Sequence, residues 1–125
     1  MADVRVSKLV KKYGAMVALH AIDLDVRDGE FMVFVGPSGS GKSTLLRCIA
    51  GLESIAEGSV SIGGVDVTDF DPADRDLSMV FQNYALFPHM TCRANLEFPL
   101  KTEGVGSSQM AKRVDQAGKL LDIEE

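Results

Sequence analysis

The chain has only two cysteines, Cys48 and Cys92, and neither opens a CxxC or CxxH pair, so it offers no disulfide framework and no zinc site. Both read as buried apolar thiols. Long apolar runs are also missing: none exceeds five residues, residues 31–35 among them, against the roughly 20 that cross a bilayer. The opening Met1-Ala2-Asp3-Val4-Arg5 lacks the basic-then-apolar order of a secretory leader, and a cytoplasmic location is expected. Positive charge is in short supply. Lys plus Arg is 13 against 18 Asp plus Glu, a net charge of −5, without the basic footprint of a nucleic-acid binder. No repeat, low-complexity tract or linker interrupts the chain. With 46% hydrophobic and 25% charged residues over 125 positions, its composition is that of one folded domain and not of a disordered segment.

Local patterning gives the elements. Residues 4–10 place Val4, Val6 and Leu9 against Arg5, Ser7 and Lys8, a half-buried strand with a slipped or bulged end. Residues 21–26 repeat the alternation, which predicts two antiparallel strands. Asp28-Gly29 marks a turn, and residues 31–35, apolar on both faces, read as a buried parallel strand. Residues 42–50 read as a helix ending at Gly51. Residues 59–62 and 65–67 flank Gly63-Gly64, a tight hairpin signal. Residues 77–81 are a second apolar strand candidate, closing on Gln82. Thr91 can cap a helix over 92–98, and Ser107 or Ser108 one reaching Asp122. In the latter, Met110, Val114, Ala117 and Leu121 share a face, and Gly118 costs about 1 kcal/mol relative to Ala.

Between the expected strand 31–35 and the helix lies Gly36-Pro37-Ser38-Gly39-Ser40-Gly41-Lys42-Ser43, a complete G-x-x-x-x-G-K-[ST] match, followed by Thr44. The strand, loop and helix succession is the context such a loop requires. Its glycines let backbone N–H groups turn inward around an oxyanion, and the helix start adds the positive end of its dipole. Lys42 can reach the β- and γ-phosphates, and the Ser43 hydroxyl can ligate Mg²⁺. Hydrolysis also needs an acid to hold Mg²⁺ and a polar group to orient water. No apolar run closes on Asp or Glu, because 31–35 enters the loop, 77–81 ends at Gln82, and Leu120-Leu121-Asp122 lies in a predicted helix.

Lys12-Tyr13-Gly14, the loop, Leu45-Leu46-Arg47-Cys48-Ile49-Ala50-Gly51-Leu52-Glu53, and Met79-Val80-Phe81-Gln82-Asn83-Tyr84-Ala85-Leu86-Phe87-Pro88-His89-Met90 resemble the ATP-binding subunits of ABC transporters. The similarity is greatest to carbohydrate importers of the maltose and glycerol-3-phosphate type and covers essentially the whole chain. It implies an α/β P-loop NTPase fold of ABC type, with an antiparallel β-subdomain and an incomplete parallel-sheet core that stops before the signature motif. Residues 1–125 would be the N-terminal part of the nucleotide-binding domain. By position, Tyr13 would stack on adenine. Gly36, Ser38, Gly39, Ser40, Gly41, Lys42, Ser43 and Thr44 would cradle ATP. Lys42 and Gln82 would serve catalysis, and Ser43 and Gln82 would hold Mg²⁺.

The same resemblance implies transmembrane permease subunits and a second ATP-binding subunit as partners. A solute-binding protein would be an indirect partner, and the location would be the inner face of the cell membrane. Residues 84–90 collect Leu86, Phe87 and Met90, a group suited to meeting those membrane subunits. The LSGGQ-like signature, the acid-terminated strand with its glutamate and the switch histidine of the family do not occur here. His20 and His89 stand elsewhere. The expectation is therefore a fragment that binds MgATP without efficient hydrolysis and tends to associate through unpaired apolar edges. A non-catalytic MgATP-binding module is the alternative, while a free-standing P-loop kinase or GTPase lacks its own acid and an N-K-x-D-type base reader. Asp71-Pro72-Ala73-Asp74-Arg75 and Tyr84-Ala85-Leu86-Phe87-Pro88-His89 favour sugar or polyol import, although polyamine importers share the second stretch.

Overall fold

The computed structural model describes residues 2–84 and 86–123, and the chain divides into two compact units, Met1–Met79 and Val80–Glu125. The first is built on an antiparallel sheet. Strands β1 (Val4–Tyr13), β2 (Met16–Val26), β3 (Glu57–Ile62) and β4 (Val65–Asp66) lie in the order β2-β1-β3-β4. β1 is central and pairs with both β2 and β3. Its register with β2 shifts between Val6 and Leu9 and again before Lys11, where Lys8 adopts a φ of 47° and its N–H donates to the Asp23 carboxylate at 2.8 Å. A bulge resets which side chains face the core. Val6, Leu9 and Lys11 are all buried in consequence.

Helix α1 (Lys42–Ile49) packs its Leu45 and Cys48 onto that face beside Val6, Leu9, Leu19 and Val60. Eight residues are too few for a helix to persist alone in water, so this burial holds it. The hairpin turn forms as expected, with Gly63 at φ 59° and Gly64 at φ 76°, the positive pair of a primed turn.

The runs expected as parallel strands, 31–35 and 77–81, are not strands. A parallel strand needs ladder partners and cover on both faces, and among the described residues no strand lies beside either run. Only Phe34 of the first run packs against the core. Phe31 and Val35 are 91% and 92% exposed.

The second unit holds α2 (Cys92–Thr102) and α3 (Ser107–Leu121), joined by an Arg93–Asp115 ion pair at 2.9 Å. Thr91 caps α2 by accepting from the Ala94 N–H at 3.1 Å. α2 runs past the expected end at Phe98 to Thr102 with Pro99 inside it, and the Thr102 hydroxyl donates to the Phe98 carbonyl at 3.1 Å. The cap of α3 is Gly106, not a serine. Val114 and Gly118 are its buried positions, whereas Leu121, expected on that face, is 58% exposed. Cys48 is buried, but Cys92, expected to be, is exposed at the start of α2.

The far end of α1 is closed by a residue of another segment. Arg75, 5% exposed, follows the 3-10 turn Pro72–Asp74 and donates to four carbonyls. Its Nη1 reaches Cys48 at 3.2 Å and Ile49 at 3.0 Å, Nη2 reaches Thr68 at 2.9 Å, and Nε reaches Phe70 at 3.1 Å. A Cβ on Gly51 would stand 2.5 Å from Arg75 Nε, so position 51 has no room for a side chain. Replacing Arg75 by Met takes this donor from the Ile49, Thr68 and Phe70 carbonyls, while Cys48 keeps the Gly51 N–H at 3.1 Å. The expected loss is at least about 2 kcal/mol, a large share of a total stability of ~5 kcal/mol. Urea unfolding followed by far-UV circular dichroism should show a sharply lower midpoint for Arg75→Met, and an unchanged midpoint would contradict the clamp.

Candidate phosphate loop and the tyrosine beside it

Residues 36–41 form the turn that enters α1, and glycine is required where this turn meets the sheet. Gly41, at φ 90°, is the N-cap of α1. A Cβ there would lie 2.8 Å from Leu19 Cδ2 and 3.4 Å from the Ala18 carbonyl oxygen. The loop is therefore seated directly on β2.

Lys42 folds back over the loop. Its ammonium donates to the carbonyls of Gly36 at 2.8 Å and Pro37 at 2.7 Å and to the Ser40 hydroxyl at 3.1 Å, which occupies all three of its protons. A Cβ on Gly36 would meet that hydroxyl at 3.0 Å. Ser38 and Ser43 are exposed, and Thr44 is half-buried. No side chain caps α1 and no acid lies in its first turn, so its first N–H groups face outward with neither a capping oxygen nor an acid of that turn before them. A cation, a ring of small residues and a bare helix start thus share one surface. That combination suits a phosphate chain, the chemistry its sequence suggested.

Tyr13 ends β1, 41% exposed, with Gly14 behind it in the turn to β2. One face of its ring is covered by Lys11 Nζ, 4.8 Å from the centroid. Lys11 also forms an ion pair with Glu53 at 2.9 Å and donates to the Ser54 carbonyl at 2.7 Å. The Glu53 hydrogen bond raises the Lys11 pKa against the opposing effect of burial. The same bond, followed by smaller contributions that include Tyr13, lowers that of Glu53. Burial raises the Cys48 thiol and keeps it protonated. Lys11 and Glu53 carry no site signal in the sequence: Lys11 lies just past the alternating run 4–10, and only the bulge turns it inward.

Gln82 belongs to the second unit, exposed in the turn after Phe81. Beyond it, Tyr84 is 76% and Leu86 68% exposed, whereas Phe87 leans on Phe98 with ring centroids 4.8 Å apart. Ala85 lies outside the described residues. Asn95 fastens this loop to α2. Its amide accepts from the Phe87 N–H at 2.8 Å and donates to the carbonyls of Phe87, Met90 and Thr91 at 3.0–3.3 Å. Among the described residues no three His, Cys, Asp or Glu side chains converge to hold a metal. Ser43 offers a hydroxyl oxygen in the first unit and Gln82 an amide oxygen in the second, both oxygen donors of the kind Mg²⁺ takes.

A glycine loop on a helix start, backed by an antiparallel sheet, defines a P-loop fold of the ABC type. The family model for ABC transporters matches residues 19–125, and the chain belongs to that family. It is 54% identical over 123 residues to the sn-glycerol-3-phosphate import ATP-binding protein UgpC 3 of Rhizobium johnstonii, covering 98% of this chain and 35% of that protein. It is 55% identical over 124 residues to the sulfoquinovosyl glycerol transport ATP-binding protein SmoE of Agrobacterium fabrum, covering 99% and 35%. The dimeric post-hydrolysis structure of the ATP-binding cassette MJ0796 with ADP and Pi superposes with a TM-score of 0.81 at 32% identity, over 98% of this chain and 58% of that one. The chain spans about a third of the length of the curated relatives it matches.

The Lys11–Glu53 pair has a testable pH signature. A lowered carboxylate pKa gives stability above the ordinary carboxylate range that is lost as the pH falls through the depressed value. A raised lysine pKa gives stability below the ordinary lysine value that is lost as the pH rises through the raised one. Glu53→Gln should therefore cost stability near neutral pH, and the difference from the parent should shrink below about pH 4 and above about pH 10.4. Urea midpoints of the two chains across this range measure it, and a pH-independent difference would contradict the pairing.

Proposed function

We propose that this chain is the N-terminal part of the nucleotide-binding domain of an ABC importer ATPase. In this reading the loop of Gly36, Ser38, Gly39, Ser40, Gly41, Lys42, Ser43 and Thr44 binds the phosphates of MgATP. The observation that carries it is Lys42 folded over a glycine loop whose helix start has no capping side chain. Phosphate oxygens would take over the contacts that the Lys42 ammonium now makes with loop oxygens. Tyr13 would offer the open face of its ring to adenine, a stack worth about 1–3 kcal/mol. Ser43 and Gln82 would contribute oxygens to Mg²⁺, which when bound neutralises phosphate charge and polarises the γ-phosphoryl group.

Within the parent protein, Lys42 and Gln82 would serve hydrolysis, coupled to uptake of a sugar or polyol. The names of the glycerol-3-phosphate, sulfoquinovosyl glycerol and lactose transport relatives support that class. Partners would be transmembrane permease subunits and a second ATP-binding subunit, with a solute-binding protein acting indirectly. No described helix is long and apolar enough to cross a membrane, which suits a subunit held at the inner membrane face by its partners. Exposed Tyr84 and Leu86 are the side chains offered to them.

A second reading, binding without turnover by the 125-residue chain itself, is favoured by the unpaired runs 31–35 and 77–81. Among the described residues neither forms a strand, and neither ends in a carboxylate.

Lys42→Ala removes a charge-assisted contact worth roughly 1.5–3 kcal/mol, so MgATP affinity should fall about 10- to 150-fold. Equilibrium binding of a fluorescent ATP analogue, with folding checked by circular dichroism, measures it. Unchanged affinity in a folded Lys42→Ala chain would remove the loop from the site.

A further inference from the structure

Lys11 is an unusual side chain for the core face of a sheet: it is 5% exposed, and each of its three ammonium protons has a counterpart. One is the Glu53 carboxylate at 2.9 Å, one the Ser54 carbonyl at 2.7 Å, and the last the face of Tyr13, 4.8 Å from the ring centroid. The two oxygen contacts come from the segment just beyond α1, and the ring belongs to the end of β1. The ammonium therefore ties the aromatic ring to the end of the helix that begins at the phosphate loop. A cation held on one face of a tyrosine is attracted by the ring's quadrupole, and it leaves only the opposite face open to a planar ligand. Neither Lys11 nor Glu53 is placed to touch a nucleotide itself, since Lys11 is buried and Glu53 is engaged by it.

We infer that Lys11 and Glu53 are positioning residues that fix the Tyr13 ring, with one face covered and the other presented, so that the base of a bound nucleoside triphosphate is gripped. The inference rests on Tyr13 as the base-stacking residue proposed above. It assigns to an ion pair between β1 and the segment after α1 a role in recognising the base and none in recognising the phosphates. A purely structural role for the pair would weaken every ligand alike.

The test compares MgATP with magnesium tripolyphosphate, which has the phosphate chain and no base, by competition against a fluorescent ATP analogue. Lys11→Met keeps the buried volume and removes the charge. It should lower MgATP affinity several-fold and leave tripolyphosphate affinity unchanged, and the MgATP loss should vanish when Tyr13 is already Ala. Glu53→Gln keeps the shape of the pair and should shift the same ratio in the same direction, so the proposal stays testable if Lys11→Met fails to fold. Equal losses for both ligands, no loss for either, or a MgATP loss that persists in the Tyr13→Ala background would overturn the positioning role. If Tyr13→Ala itself leaves the ratio of the two affinities unchanged, the stacking role falls first and the positioning role with it.

Discussion

Helix α1 is held at both ends, and the candidate site depends on that. At its start Gly41 sits so close to Leu19 of β2 that no Cβ fits between them. At its finish the Arg75 guanidinium donates to the carbonyls of Cys48 and Ile49, of which Cys48 also accepts from the Gly51 N–H, so the orphan carbonyls of the last turn are met. Between these points Leu45 and Cys48 are pressed onto the sheet. A short helix fixed in this way aims its first N–H groups in one direction, and Lys42, its first residue, closes the loop in front of them. The rest of the first unit serves this placement. The bulge in β1 turns Leu9 into the core under the helix and, two residues on, turns Lys11 toward Glu53 and Tyr13.

Much of this was legible in the sequence because it is local. The glycine loop, the helix after it, the double-glycine hairpin and the Thr91 cap are each set by residues within a few positions of one another. What was not legible depended on partners distant in the chain. Residues 31–35 have the composition of a buried strand, but a strand is defined by neighbours, and none of the described residues pairs with them. Nothing near Arg75 in the sequence points to α1, and only folding brings it to the end of that helix. Lys11 looked solvated until the bulge reversed its side.

The second unit has its own logic. Asn95 bonds four backbone groups of Phe87, Met90 and Thr91 just before α2, while Tyr84 and Leu86 are exposed ahead of them. Membership of the ABC transporter family, together with relatives about three times as long, gives these projecting residues a context the short chain does not itself contain. The Lys11–Glu53–Tyr13 cluster, by contrast, is complete within the first unit.

The first unit, with α1 pinned on its antiparallel sheet, is proposed to present a preformed phosphate site. Amide hydrogen exchange with and without a non-hydrolysable MgATP analogue tests it most directly. Exchange at the amides of residues 36–44 is expected to slow on adding the analogue, with the sheet core already protected beforehand. If residues 36–44 exchange equally fast in both conditions while the core stays protected, the loop is not the nucleotide site and the claim is contradicted.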